Sequence, residues 1–504
     1  MRAAIEPPRE QAADRAIQKP PHRGFRATIF VVYLLIAIAL SLTRIPICDE
    51  GWYADPAMNL LHHGSMGSPA IESAGTFLKG IDQKTYYLMP VYFLAQAAWY
   101  RILGANLISM RMLSVFAGAV ALLSWYFIAR KFAGDRLAAI VAGFVAIDTS
   151  FVVLAATGRS DILSAALGAA ALACYVGLRE SRLRVATISA HALAAASGLT
   201  HPIGGLVAFA SLVWLQLHFD RRRLTASIVF AAALPYLIGA AAWGVYIAQA
   251  PDLFRAQFGG NSAQRLTAWI SPLAAIKREL VERYIGGFTM GSAWTRLADL
   301  RLVVLAADIA ALVFVACSRA LRRSALGTFA LVQAAMIAAI LLLFEGSRQP
   351  WYLIYFAFPL ATTLALTTQH LARKNTRRWP LDLAVAGFIS LQIAYPALSS
   401  LQNKYGRTYL PFASRIRPTT PGRAVMGTAE LGFALGFDRI LDDYHLGFYS
   451  GKTPQYIVID PRYQGFLQQL HQQQPELYQY ATDLLSTKYR VAYSNGYYTL
   501  YEKQ

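Results

Sequence analysis

The segment CDEGWYADPA, Cys48 to Ala57, sets two adjacent carboxylates, Asp49 and Glu50, just after the first long apolar run of the chain. That run, ATIFVVYLLIAIALSLT over 27–43, follows a basic stretch, so the acids stand where a membrane helix would emerge into water. Ionised groups tolerate that boundary, and position alone equally suits a solvated helix end. A second polar cluster, Gly158-Arg159-Ser160-Asp161, sits at another helix end. Carboxylates can take up a proton and a guanidinium can hold an anion; on one side of a membrane they would form the parts of a group-transfer site.

Whether they share a side depends on the elements between them. The chain has 504 residues, 56% of them hydrophobic and only 15% charged, against roughly 25% charged in a soluble globular chain. Its apolar residues lie in runs of the length, about 20 residues, that crosses a bilayer as a helix. Spans are expected near 27–43, 112–128, 137–156, 161–178, 185–200, 203–219, 224–247, 300–317, 325–344, 352–370 and 381–398. The alternate connectors are basic: Arg130, Lys131 and Arg136; Arg179, Arg182 and Arg184; Arg221, Arg222 and Arg223; Arg319, Arg322 and Arg323; Arg373, Lys374, Arg377 and Arg378. With residues 1–26 these segments hold 22 Lys/Arg and six Asp/Glu, which is +16 of the net +19. Such a distribution is a topology signal that places the connectors and the N-terminus in the cytoplasm. It removes the nucleic-acid reading of a basic chain. The stretch YYLMPVYFLAQAAWYRIL, 86–103, is apolar enough to be taken for a span, yet counting it would send every later basic cluster outside. It is therefore expected to be an interfacial or re-entrant helix with Pro90 near its start, which leaves 11 spans.

In that orientation the outer face gathers the polar residues. The first outer loop, 44–111, carries Asp49, Glu50, Tyr53, Asp55, His62, His63, Lys84 and Arg111. The next ones bring Arg159 and Asp161, then Thr200, His201 and Pro202. A longer outer segment, 248–299, contains PDLFRAQFGGNSAQR and an amphipathic helix near 272–284, and the turn FEGSRQPWY, 344–352, adds Arg348. The expected fold class is an all-α polytopic membrane domain with a small extracytoplasmic α/β domain at its C-terminal end. Residues 1–26 form a basic, Pro-rich tail, 27–399 the membrane domain and 400–504 the outer domain. In the last, Arg423–Gly427 and Tyr456–Asp460 read as strands about a helical stretch at 428–437, and polar helices follow near 463–486. YRVAYSNGYYTLYEK reads as a hairpin turned at Asn495-Gly496. No small-residue cleavage site follows the first span, which is read as a retained anchor. Cys174 and Cys317 fall in spans and leave Cys48 alone, so there is no disulfide framework and no CxxC pair. His62-His63 could hold a metal, although adjacent histidines on a polar loop are usually solvated. No cofactor is called for, and a divalent metal stays open.

DEGWYADPAMNLLHHG resembles the first outer-loop signature of C-type (GT-C) membrane glycosyltransferases, among them protein O-mannosyltransferases and lipid A aminoarabinose transferases. In these families an Asp-Glu pair follows the first span and an aromatic lies three residues beyond the Glu, here Tyr53. YYLMPVYFLAQAAWYRILGANLISMRMLSVFAG resembles their next block, an interfacial helix opened by proline and followed by arginine at the mouth of the second span; Pro90 and Arg111 hold those places. GRSD resembles the block with a second Asp, so Asp161 maps there. GLTHPIGGL resembles the stretch before the sixth span, with His201-Pro202 where many members have Lys-Gly. The likeness covers roughly residues 27–370. It breaks at Leu88-Met89-Pro90-Val91, where many members have Lys-Pro-Pro-Leu, so the lysine that contacts lipid phosphate in some of them is missing and Lys84 or Arg111 would stand in. The C-terminal domain resembles no block of the family.

The resemblance implies a sugar donor on a polyprenyl phosphate, presented at the outer surface of the plasma membrane, and a protein, lipid or glycan acceptor. An acceptor hydroxyl needs a base to attack the anomeric carbon, and Asp49 is the expected base, with Glu50 and Asp161 as the other acids of the site. Attack opposite the departing phosphate inverts the configuration. Cations should hold that phosphate: Arg111 and Arg159, with Lys84, His201 and Arg348 behind them, while Tyr53 stacks on sugar or lines the lipid groove. Each arginine also has a plain reading as an interfacial side chain snorkelling to water, and Asp161 one as a structural partner of Arg159. The rival class is a transporter or lipid flippase, which calls for ionisable residues at mid-membrane and broken helices in related halves. Asp308 is the clearest acid inside a span.

Overall fold

The computed structural model describes residues 23–266, 272–289, 295–374, 377–417, 422 and 424–504. Hydrocarbon offers no water to satisfy backbone N–H and C=O groups, so the apolar runs become helices, which bond within themselves. In chain order these are α1 (Arg23–Thr43), α2 (Cys48–His63), α3 (Pro90–Leu103), α4 (Leu107–Ala133), α5 (Asp135–Ile147), α6 (Thr149–Ala155), α7 (Ser160–Leu178), α8 (Leu183–Thr200) and α9 (Pro202–Phe219). They are followed by α10 (Ala226–Ala248), α11 (Pro251–Leu266), α12 (Thr295–Cys317), α13 (Ala325–Phe344), α14 (Ala357–Lys374) and α15 (Trp379–Gln402). The expected amphipathic helix near 272–284 is a helix over Pro272–Arg278 that continues as a π-helical turn, Glu279–Ile285.

Among the described residues nine helices are long and apolar enough to cross a membrane, ten if α5 and α6, bent by 64° at Asp148, make one crossing. The eleventh expected span is α8, which that measure of composition does not include. It is enclosed by α7, α9 and α10, and its His191 bonds Tyr236 at 2.9 Å. A helix walled by helices tolerates polar side chains that a lipid-facing one does not. By contrast α10 buries none of its residues, and Phe230, Leu237 and Val245 are exposed, as a helix solvated by lipid should be. Small residues bring α7, α8 and α9 close, with Ser164 Oγ and Ser197 Oγ 2.9 Å apart. The stretch expected not to cross is α3, 14 residues opened by Pro90. At 1.5 Å per residue it spans about 21 Å, short of a hydrocarbon core of about 30 Å.

The chain closes with a five-stranded sheet: β1 (Val425–Met426), β2 (Ile440–Leu441), β3 (Tyr456–Ile459), β4 (Tyr489–Ser494) and β5 (Thr499–Lys503), in the order β2-β1-β3-β5-β4. β1 runs parallel to β2 and β3, and β5 lies antiparallel between β3 and β4. The hairpin turns at Asn495-Gly496 as expected, with Gly496 at φ +81°. Two polar helices, α16 (Pro461–Gln473) and α17 (Pro475–Thr487), join β3 to β4. β2 was not foreseen, because two residues carry no alternation to read. Of the strand expected at Arg423–Gly427, Arg423 lies outside the described residues.

The sheet unit is pressed against α2. A Cβ added to Gly51 would fall 2.4 Å from the carbonyl carbon of Ala429, which is backbone and cannot swing aside. Gly51→Val is therefore expected to cost about 1–3 kcal/mol, read as a lower unfolding midpoint of the purified protein. An unchanged midpoint would mean that α2 and the sheet unit do not pass this closely.

Candidate active site

The first turn of α2 holds its two acids in opposite roles. Glu50 accepts the Ile47 N–H at 3.0 Å, which closes the helix start. Its carboxylate also receives Arg111 two-pronged, Nε to Oε1 and Nη2 to Oε2 both at 2.7 Å, and the Gly158 N–H at 2.8 Å. Arg111 directs its other N–H groups to the carbonyls of Ser41 at 2.8 Å, Arg44 at 2.9 Å and Ile45 at 3.3 Å. Both side chains are buried. Burial alone would push the Glu50 carboxyl up, but the Arg111 charge and the hydrogen bonds outweigh it and hold the carboxyl below its ordinary range. Every N–H of the Arg111 guanidinium is engaged within the chain, so the expectation that Arg111 grips phosphate is not met in this arrangement.

Asp49 points the other way and keeps 29% of its side chain exposed. It pairs with Arg159 Nη1 and lies 3.5 Å from Arg462 Nη1. Arg159 Nε donates to Asp161 Oδ2 at 2.9 Å, and its guanidinium lies 4.9 Å from the centre of the Trp351 ring. The other Asp161 oxygen is 3.9 Å from His201 Nε2, and Tyr352 OH is 3.3 Å from that same nitrogen. Arg265 donates to Tyr352 OH at 2.8 Å and stands 3.5 Å from Glu345. Glu345 meets Arg283 at 2.9 Å, Arg283 bonds Glu279, and Arg348 Nε lies 3.9 Å from Glu279. Asp49, Arg159, Asp161, His201 and Arg348, far apart in sequence, thus belong to one chain of polar contacts. Burial pushes the His201 imidazole down to about 4, against the pull of Asp161, so it is neutral at pH 7. Asp161 Oδ1 and His201 Nδ1 are buried with no hydrogen-bond partner, and so is Arg348 Nε.

Tyr53 lies buried beside this chain and accepts the Ser160 hydroxyl at 3.0 Å. Lys84 is not joined to it: its ammonium bonds Gln249 and sits 4.8 Å from the centre of the Tyr246 ring. His62 and His63 are exposed, with His63 Nδ1 2.9 Å from Asn59 Oδ1. Among the described residues no group of three or more His, Cys, Asp or Glu is arranged to hold a metal. Glu279 also lines a cavity of about 710 Å³, whose walls, Tyr284, Phe288, Leu305, Leu312 and Phe356 among them, are chiefly apolar.

The sheet unit reaches the same place. Arg462, in the first turn of α16, lies 6.0 Å from the centre of the Trp52 ring and 5.4 Å from that of Tyr444. Trp52 Nε1 donates to Asp442 Oδ2 at 2.7 Å, and Asp442 also accepts Tyr463 OH at 3.0 Å and the Ala429 N–H at 3.1 Å. Burial outweighs these bonds and pushes the Asp442 carboxyl up to about 7. The sequence reading missed Arg265, Glu279, Arg283, Glu345, Asp442 and Arg462. The first four stand in segments already placed on the outer face, where any charge in so uncharged a chain was a signal. Asp442 and Arg462 lie in a domain without a family block to mark them.

Removing one partner of a buried pair leaves an uncompensated charge, at a cost of about 3–5 kcal/mol. Arg111→Ala should lower the unfolding midpoint accordingly, and Arg111→Ala with Glu50→Gln should recover part of the loss; no loss would show that the pair does not hold α2. Asp442 carries the opposite pH sign. Its folded value of about 7 lies above the roughly 3.9 of a free aspartate, so its contribution is full below about pH 4 and lost as pH rises to 7. Thermal unfolding between pH 4 and 7 should show that decline, and Asp442→Asn should flatten it. An equal decline in both proteins would assign it to another group.

Comparison with known proteins fits this geometry. The family model for dolichyl-phosphate-mannose-protein mannosyltransferases matches residues 88–246. No curated protein matches the sequence. Among solved structures, ArnT from Cupriavidus metallidurans bound to undecaprenyl phosphate is similar at 14% identity, covering 95% of this chain and 97% of that one with a TM-score of 0.59. The apo form of that ArnT gives 0.55 at 14% identity, over 97% of this chain and 98% of that one. The apo oligosaccharyltransferase of Archaeoglobus fulgidus gives 0.51 at 15% identity, over 87% of this chain and 70% of that one. At such identities the likeness establishes the fold, and the fold is that of the GT-C proteins that the loop signature resembles.

Proposed function

We propose that the chain is a membrane glycosyltransferase that moves a sugar from a polyprenyl-phosphate donor to an acceptor on the extracytoplasmic face of the plasma membrane. One observation carries this reading: on a GT-C fold, a partly exposed carboxylate, Asp49, stands at the head of a run of arginines, of which Arg159 and Arg283 are buried and Arg265 is partly exposed. In the reaction the acceptor oxygen bonds to the anomeric carbon while its proton passes to Asp49 and the bond from that carbon to the phosphate oxygen breaks. The electron pair leaves with the polyprenyl phosphate, whose growing negative charge falls to Arg159 and Arg265. An incoming phosphate would compete with Asp49 for Arg159 and so release the carboxylate as a base. Single displacement inverts the anomeric centre. Glu50 and Arg111 act as positioning residues, Asp161 orients Arg159, and His201 and Tyr53 shape the pocket. Arg348 closes the far end of the chain of contacts, and Lys84 lies off it. The apolar cavity beside Glu279 suits the isoprenoid tail.

The basic connectors support the orientation, with the N-terminus inside and the site outside. The transporter reading would draw on the bend at Asp148 and on buried Asp308. Among the described residues no second bent pair answers the first, as related halves would require.

Asp49→Asn keeps the size and removes the base. Transfer from a labelled polyprenyl-phosphate sugar to acceptor in membrane extract should fall at least about 100-fold, while binding of undecaprenyl phosphate to the purified protein persists. Arg265→Ala should weaken that binding by about 10- to 100-fold. Wild-type transfer by Asp49→Asn would remove Asp49 as the base, and unaltered lipid affinity in Arg265→Ala would remove Arg265 from the phosphate site.

A further inference from the structure

We infer that Trp52 and the sheet-unit residues Arg462, Tyr444, Phe466, His445 and Tyr449 form a saccharide platform that seats a carbohydrate acceptor beside Asp49; this rests on the reading of Asp49 as base. The side chains follow one another outward from the site. Arg462, 3.5 Å from Asp49, lies between the rings of Trp52 and Tyr444 at 6.0 and 5.4 Å. Tyr444 meets Phe466 at 5.2 Å, Phe466 meets His445 at 5.8 Å, and His445 meets Tyr449 at 4.9 Å between ring centres. The run ends in solvent, with Tyr449 48% exposed. The Arg462 side chain is 46% exposed although one end faces Asp49. Exposed Gln464 and Gln468 stand on the same helix, one turn apart.

The chemistry of the surface selects its occupant. Pyranose rings present a C–H face, which is shielded from water against an aromatic ring, and a rim of hydroxyls that needs polar partners. Partly exposed rings beside the Arg462 guanidinium and the carboxamides of Gln464 and Gln468 supply both. An extended peptide would be captured along an open strand edge. The edge strand nearest Asp49, β2, is two residues long. It is followed by a segment already covered by the chain itself, with Asp442 N–H bonded to Ala70 O at 2.6 Å and Glu72 N–H to Asp442 O at 3.0 Å. Acyl chains would need a continuous aliphatic patch, whereas the large exposed apolar side chains described after residue 424 are Phe448, Tyr449 and Val491.

The test uses the purified full-length protein in detergent on an array of neutral and acidic oligosaccharides, beside Ser/Thr peptides and phospholipid vesicles. Oligosaccharide binding is expected, together with a change in tryptophan fluorescence. Affinity should drop at least tenfold in Tyr449→Ala and in Phe466→Leu, which keeps apolar bulk and loses only the ring. Unfolding midpoints and undecaprenyl-phosphate affinity should stay at wild-type values. Absence of saccharide binding, binding indifferent to both substitutions, or ring-dependent binding of peptides or vesicles would overturn the proposal. A protein that binds undecaprenyl phosphate but no saccharide contradicts the platform alone; one that binds saccharide but no lipid phosphate contradicts the donor reading.

Discussion

Glu50 and Arg111 meet through two hydrogen bonds of 2.7 Å with both side chains buried, and separate stretches of chain hang on that contact. Arg111 comes from the start of α4; its remaining donors tie down the carbonyls of Ser41, Arg44 and Ile45 where α1 ends. Glu50 receives the Gly158 N–H, which fixes the turn that presents Arg159. With Glu50 committed inward, helix geometry turns its neighbour Asp49 toward Arg159 and Arg462. Two adjacent acids thereby acquire different tasks. One is a structural anion held below its ordinary pKa, and the other is a partly exposed carboxylate paired with two arginines.

The polar contacts that start at Asp49 run along helix ends and the turns between them. Exposed charges in water contribute little to stability, but desolvated ones must be paired or hydrogen-bonded. The alternation of acid and base from Asp49 to Arg348 meets that demand almost throughout. Asp161 Oδ1, His201 Nδ1 and Arg348 Nε are buried without a hydrogen bond, although Asp161 Oδ1 and Arg348 Nε each lie 3.9 Å from an oppositely charged or ionisable neighbour.

Much of this was legible in the sequence. The apolar runs marked the helices, and the basic connectors argued against a crossing at 86–103, where the structure has a helix of only 14 residues opened by Pro90. The DEGWY motif and GRSD pointed to Asp49, Arg159 and Asp161, which do meet. Arg111 was harder to read, since an arginine at a span mouth looks alike whether it holds a ligand or a neighbouring glutamate; only the Glu50 distances decide. Asp442 and Arg462 act on Trp52 and Asp49 from 390 and 413 residues away, and no local spacing announces so distant a partner. The eleventh expected span, α8, is a helix where it was expected, but it is screened by other helices and keeps polar residues, so its composition does not mark it as a crossing.

The reaction itself is tested most directly by mass spectrometry of envelope glycans and lipids from cells with and without this chain. A glycosyltransferase using a polyprenyl-phosphate donor predicts that its loss removes the mass of one sugar from a single class of acceptor while the sugar-charged polyprenyl phosphate accumulates. Unchanged acceptor masses together with an unchanged pool of the charged lipid would contradict it.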